Sequence, residues 1–233
     1  MSKLDGYTIV FDLDGTLVDT APDLIRATNH ALASIELGPA NQSRLRDSIS
    51  FGARTMIVEA LAFHGQVRTE AEIDELHRLF ISHYEANIAH SSRPYNDAVN
   101  TLQSLRRAGA RLAICTNKRE HLARALVTAL CIDGYFDAIA GIATFTVSKP
   151  HPDHIRGTVR LAGGDPCRAI MVGDSENDVV AARAAGVPVI GFLCGYSDTP
   201  MQELRPDAVF KHYFELESVI GSLLDRNKDR FPH

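Results

Sequence analysis

The chain has 233 residues, 45% hydrophobic and 23% charged, with a formal net charge of −5. That composition suits a soluble globular protein, and the length suits one large domain or a core with a smaller insert. The acidic balance and the lack of a basic stripe argue against a nucleic-acid binder, and no apolar run approaches the length of a membrane span. The four cysteines (Cys115, Cys131, Cys167, Cys194) are far apart with no C-x-x-C pair, which points to neither a zinc site nor a disulfide framework. The N-terminal segment runs directly into a strand pattern without an apolar targeting region, so a cytoplasmic location is expected.

Tyr7–Asp12 is a short apolar run ending in acid and reads as a buried strand. Thr20-Ala21-Pro22-Asp23 carries helix-start chemistry, with Pro in the first turn and acid complementing the dipole. From there to about residue 90 the pattern is helix after helix, with apolar residues at three- and four-residue spacing over Ala53–Phe63 and Glu70–Asn87, and no strand is expected among them. After Arg93-Pro94-Tyr95 strands and helices alternate. Helices are expected at Asp97–Ala108, Glu120–Leu130, Pro152–Leu161, Asp178–Ala185 and Leu216–Leu224. Strands are expected at Arg111–Cys115, Phe136–Ala140, Ala169–Val172, Val187–Phe192 and Ala208–Phe210. The polar tail Asp225–His233 reads as loose. Such alternation implies an α/β fold: a doubly wound, Rossmann-like parallel sheet with helices on both faces. The all-helical block reads as an inserted domain, giving a core of residues 1–19 and 92–233 and an all-α cap of residues 20–91.

In an open parallel sheet, ligands bind at the carboxyl ends of the strands. Those ends here carry Asp12-Leu13-Asp14-Gly15-Thr16, then Thr116-Asn117-Lys118, and then Gly173-Asp174-Ser175-Glu176-Asn177-Asp178, with Lys149 on a nearby loop. Carboxylates gathered in a cleft repel one another, and a divalent cation relieves the repulsion. Magnesium, held by a few carboxylates and phosphate oxygens, suits Asp12 and Asp174. A carboxylate is also a competent covalent nucleophile toward phosphorus. Lys149, Thr116 and Asn117 supply donors for phosphoryl oxygens, and Asp14 is placed to act as general acid and base. Gly15 and Gly173 read as tight-turn residues.

The segment Asp12 through Thr20 (DLDGTLVDT), the strand leading to Thr116, Lys149-Pro150 and Gly173 through Asp178 (GDSEND) resemble, in order and spacing, the four motifs of the haloacid dehalogenase superfamily. The likeness spans nearly the whole chain. It implies that Asp12 is the nucleophile and Asp14 the acid/base, and that Thr116 and Lys149 bind phosphate. Magnesium would be held by Asp12, the Asp14 main-chain carbonyl and Asp174, with Gly15, Thr16 and Asp178 supporting. Asp14 narrows the class, because the carbon–halogen-cleaving members lack an acid there and the ion pumps carry Thr. The helical insert resembles the cap of the phosphoglycolate phosphatase group, which makes 2-phosphoglycolate the first substrate candidate and Phe51, Gly52 and Arg54 the candidate substrate contacts of the cap. The G-x-G pattern frequent in that cap loop reads Ser50-Phe51-Gly52 here.

The expected partner is a small phosphorylated metabolite, and the expected assembly a monomer or homodimer. Phosphatases for a sugar phosphate or pyrophosphate, and a sugar phosphomutase, use the same residues. A phospho-accepting receiver module and a silent binding protein are the non-enzymatic alternatives; the first places its nucleophile differently, and the second has no missing motif residue to recommend it. Asp19 reads as a helix-entry residue, Glu176 as facing solvent or the cap, and His151 and His154 as neutral histidines packing a loop.

Overall fold

A computed structural model describes residues 4–226. In chain order the elements are β1 Thr8–Phe11, β2 Val18–Asp19, α1 Ala21–Ala33, α2 Gln42–Ser48, α3 Ala53–Phe63, α4 Glu70–Ala86 and β3 Arg93–Pro94. They continue with α5 Ala98–Arg107, β4 Arg111–Arg119, α6 Glu120–Ala129, β5 Ala138–Ile142, α7 Pro152–Leu161 and β6 Ala169–Gly173. The last are α8 Glu176–Ala185, β7 Val189–Phe192, β8 Ala208–Phe210 and α9 Leu216–Arg226. The chain divides into two compact units, one of residues up to Val18 with those from Pro94 onward, the other Asp19–Arg93.

The first unit is built on a six-stranded sheet of order β5-β4-β1-β6-β7-β8. Every neighbouring pair runs parallel, with helices on both sides, as the strand–helix alternation predicts. β1 lies between β4 and β6, with Thr8 opposite both Arg111 and Ala169. A central parallel strand covered on both faces reads as a continuous apolar run rather than an alternating one. Ile9, Val10 and Phe11 are accordingly fully buried, and each contributes about 1.5–3 kcal/mol by leaving water. A charge at Val10 would break this packing, since its cluster joins Ile155 and Val159 of α7 to Met171 and Val189. All four cysteines are free, and burial pushes the Cys115 thiol up to about 12.

The second unit is four α-helices. α4 begins with a capping box, Thr69 accepting from the Glu72 N–H while Glu72 accepts from the Thr69 N–H, which satisfies two otherwise orphaned donors. Asp23, buried in the first turn of α1, accepts from the Ser91 N–H at 3.0 Å, the Ser92 N–H at 2.8 Å and the Ser92 hydroxyl at 2.7 Å, and pairs with Arg26 at 2.9 Å. One carboxylate thus ties the start of this unit to its end.

Several elements differ from expectation; β5 runs Ala138–Ile142, two residues later than Phe136–Ala140, and β7 starts at Val189 rather than Val187. β4 continues through Thr116–Arg119, where a polar run reads as a loop, because its backbone stays extended across a register shift against β5 between Cys115 and Arg119. α8 starts at Glu176, two residues early, under a Ser175–Asp178 capping box. The short strands β2 and β3, which pair with each other, have no periodicity to announce them. Asp225 and Arg226 close α9 instead of starting a tail; the rest of that tail lies outside the described residues.

Candidate active site

β1, β4 and β6 deliver their polar residues to one edge of the sheet. The Asp12 N–H donates to the Val172 carbonyl at 2.9 Å, which continues the β1–β6 pairing by one residue and fixes where the carboxylate emerges. Its Oδ1 accepts from the Leu13 N–H at 2.7 Å and pairs with Lys149 Nζ at 3.0 Å. Lys149 Nζ also donates to Asp178 Oδ1 at 2.6 Å. A buried ammonium is tolerated only when paired and hydrogen-bonded, and here two carboxylates hold it. Burial works against the charged form of Lys149, but Asp12 and Asp178 outweigh it and push its pKa upward.

Asp178 is fully committed. Its Oδ1 takes Lys149, and its Oδ2 accepts from the Ser175 N–H at 3.0 Å and the Ser175 hydroxyl at 2.7 Å. It therefore caps α8 and braces the lysine at once. Asp174, the first residue past β6, accepts from the Thr16 hydroxyl at 2.5 Å and from the Tyr196 N–H at 2.7 Å. Gly15 is what lets the loop after β1 approach so closely: it sits at φ +81°, and a Cβ there would lie 2.5 Å from Asp174 Oδ2.

Asp12, Asp174 and Asp178 offer carboxylate oxygens that all lie within 4.8 Å of one another. Burial pushes Asp174 up to about 8, and the neighbouring Asp12 and Asp178 charges add to the rise. Burial likewise raises Asp12 to about 6 despite the pull of Lys149, with Asp178 adding to it. Both shifts mark negative charge that the protein's own cations leave uncompensated, the condition a hard divalent cation with oxygen ligands relieves. The donor set thus fits such a metal, and of the three acids Asp178 has the least to give it.

The remaining expected residues fall into two groups. Thr116 is buried on β4 and its hydroxyl accepts from the Lys118 N–H at 3.1 Å. Asn117 donates its side-chain amide to the Lys149 carbonyl at 2.8 Å, and so braces the lysine loop. Asp14 is held by Lys118, whose Nζ lies 2.9 and 3.2 Å from its two oxygens. Phe51, Gly52 and Arg54 belong to the helical unit. Phe51 is 57% exposed and Gly52 adopts φ +90°. Arg54 pairs with Glu70 and Asp74 on the unit's own α4.

Several contacts in the site have no counterpart in the sequence pattern, although His154 is the neutral loop-packing histidine expected. Lys118 stands beside Asp14, yet in the sequence it is one lysine in a polar run. Tyr196 acts through its backbone, and Tyr213 donates its hydroxyl to the Thr16 carbonyl at 2.7 Å from far along the chain. His154 is fully buried, and its Nδ1 accepts from the Lys149 N–H at 3.1 Å. Burial holds its pKa down at about 4, so it is a neutral acceptor that fixes the lysine's backbone.

Comparison with known proteins fits this geometry. Residues 9–192 match the family model of the haloacid dehalogenase-like hydrolases. The chain is 45% identical over 218 residues to a phosphoglycolate phosphatase of Mesorhizobium japonicum, covering 94% of this chain and 96% of that one. It is 48% identical over 211 residues to one of Agrobacterium fabrum, covering 91% of each. A crystal structure described as a predicted phosphoglycolate phosphatase from Haemophilus somnus superposes with a TM-score of 0.85 at 32% identity, over 92% of this chain and 97% of that one. CbbY from Rhodobacter sphaeroides, solved in complex with phosphate, gives 0.75 at 26% identity over 90% and 96%.

Proposed function

The chain belongs to the haloacid dehalogenase-like hydrolases and is a phosphatase, and from that premise we propose that it hydrolyses 2-phosphoglycolate through an aspartyl-phosphate intermediate on Asp12, with magnesium as its metal. The observation that carries the reading is the state of Asp12: a carboxylate at the end of the central strand, one oxygen on Lys149, beside a second carboxylate, Asp174, that is raised by burial and by the neighbouring acids.

In this reading an Asp12 oxygen attacks phosphorus and the bond from phosphorus to the ester oxygen breaks. Asp14 gives its proton to the departing alkoxide, which leaves as the alcohol. Asp14, now a base, takes a proton from water; the water oxygen attacks the same phosphorus, and the bond to Asp12 breaks to release inorganic phosphate. Lys149 holds the nucleophile's oxygen and, with Thr116, faces the phosphoryl oxygens where charge is spread in the transition state. Asp12, the Asp14 main-chain carbonyl and Asp174 would hold a magnesium ion, whose charge would offset the repulsion between two anions. Asn117 and His154 keep the Lys149 backbone in place, and Thr16 and Tyr196 do the same for Asp174. The core unit carries this chemistry and the helical unit serves as its cap.

The choice of 2-phosphoglycolate rests on the names of the relatives, and is the first thing to test. A panel of phosphate esters, assayed with magnesium and with chelator alongside Asp12→Asn, should give metal-dependent phosphate release that vanishes in the variant, fastest on 2-phosphoglycolate. Faster turnover of another ester would replace the substrate, and release that persists in Asp12→Asn would overturn the mechanism.

A further inference from the structure

The site contains two lysine ammonium groups, one buried and one part-buried, and they do not share a task. Lys149, 1% exposed at its side chain, is locked between Asp12 and Asp178. Lys118, 6% exposed, lies on Asp14, which is itself 17% exposed. The Lys149–Asp178 pair is therefore the deepest part of the cluster, and the Lys118–Asp14 pair lies nearer its mouth. Residues 116 and 118 are two apart where β4 shifts register against β5, and the Lys118 N–H donates to the Thr116 hydroxyl, which holds the two residues together. Thr116 is the more deeply buried of the two, and Lys118 stands nearer solvent.

We infer that Lys118 is a specificity residue that recognises a carboxylate on the leaving group. This deepens the substrate reading above and rests on it. The leaving oxygen must lie within hydrogen-bond distance of Asp14, and Lys118 Nζ lies within 3.2 Å of both Asp14 oxygens. Two such contacts in series put Nζ about 5–6 Å from the leaving oxygen. A carboxylate one carbon beyond that oxygen then falls within reach of the ammonium. A cation so placed favours an ester with an anionic leaving group over one of the same size without the charge, and a charge-assisted hydrogen bond is the interaction that discriminates. The helical unit need not supply that cation, and Arg54 is engaged on its own acids.

The test is a double cycle of residue and substrate. kcat/KM is measured for 2-phosphoglycolate and for ethyl phosphate, which has two carbons and no carboxylate, in the wild type, Lys118→Met and Lys118→Arg. Differences in leaving-group acidity cancel in the cycle. The preference of the wild type for 2-phosphoglycolate should fall about 10- to 100-fold in Lys118→Met, the range for one hydrogen bond to a charged group, and be partly kept in Lys118→Arg. Equal losses on both esters would mean that Lys118 serves only to hold Asp14, and would overturn the inference, as would a preference that survives in Lys118→Met. A wild type indifferent to the carboxylate would instead overturn the substrate reading before any variant is made. Thermal melting checks that each variant is folded; should Lys118→Met fail it, Lys118→Gln carries the same comparison.

Discussion

Asp23 in the helical unit and Asp174 in the core unit are each 1% exposed, yet their ionisation is driven in opposite directions. Burial raises the pKa of both. For Asp23 it is outweighed by the Ser92 hydroxyl, the Ser91 and Ser92 N–H groups and Arg26, and the pKa ends below the ordinary carboxylate value. Asp174 receives only the Thr16 hydroxyl and the Tyr196 N–H and faces two further carboxylates, and it rises to about 8. The difference separates structure from function. A carboxylate that holds a fold together is satisfied by the protein, whereas one that serves a reaction is left short of positive charge, which ligand and metal then complete.

The sharpest break of that comparison is to remove function without removing structure. Asp12→Asn should lower phosphate release by on the order of 10³-fold or more, measured as initial rates with saturating magnesium, with circular dichroism unchanged. Asp23→Ala should do the reverse. It leaves the Ser91 and Ser92 N–H groups without their acceptor in a buried setting and should cost about 2–4 kcal/mol in urea unfolding, while the residues assigned to chemistry stay in place. The same carboxylate carries a pH signature. Its folded pKa lies below its unfolded one, so the unfolded state binds more protons between the two. Its contribution is therefore full above the unfolded value of about 3.9 and is lost as pH falls through the folded value. Urea midpoints measured from pH 5 down to pH 2 should fall more steeply for the wild type than for Asp23→Asn; parallel curves would remove Asp23 from the account. Smaller again, and opposite in sign, Asp174→Asn should raise the stability of the chelated protein at pH 7 by about 1–2 kcal/mol, because the folded Asp174, raised to about 8, must take up a proton there that the unfolded carboxylate does not hold, a cost the amide is spared. A loss of stability would mean that Asp174 is structural after all.

What the sequence disclosed follows the same division. The core strands were legible because burial on both faces demands largely apolar runs such as Thr8–Phe11, and α3 was legible because its apolar residues recur at three- and four-residue spacing. Asp12 and Asp174 were legible because strand ends are where a parallel sheet gathers polar groups, and Lys149, on a loop, through the motif resemblance. Asp23 was read only as a helix-start acid: that it accepts from residues 91 and 92, nearly seventy positions away, is a tertiary fact with no local pattern. The same holds for Lys118 on Asp14 and Tyr213 on Thr16. The extension of β4 through polar residues was missed because strand periodicity measures burial, and Lys118 and Arg119 lie at the edge where the sheet meets the site.

The smallest expected effect probes how the satisfaction of Asp23 is built. Ser92→Ala removes one donor, the hydroxyl at 2.7 Å, and leaves the Ser91 and position-92 N–H groups and Arg26 on the carboxylate. If the donors act independently, the cost is that of one hydrogen bond, about 1 kcal/mol, and the acid limb of the stability curve becomes only slightly shallower. If they act as a unit, the carboxylate loses its fixed orientation, the N–H contacts lengthen, and the cost approaches that of Asp23→Ala. A double-mutant cycle between Ser92→Ala and Arg26→Gln, read by urea unfolding, decides between them. Additive losses would make the site a sum of parts. A coupling energy near the size of the single effects would make it a network, in which a buried charge is held by the geometry of all its donors together.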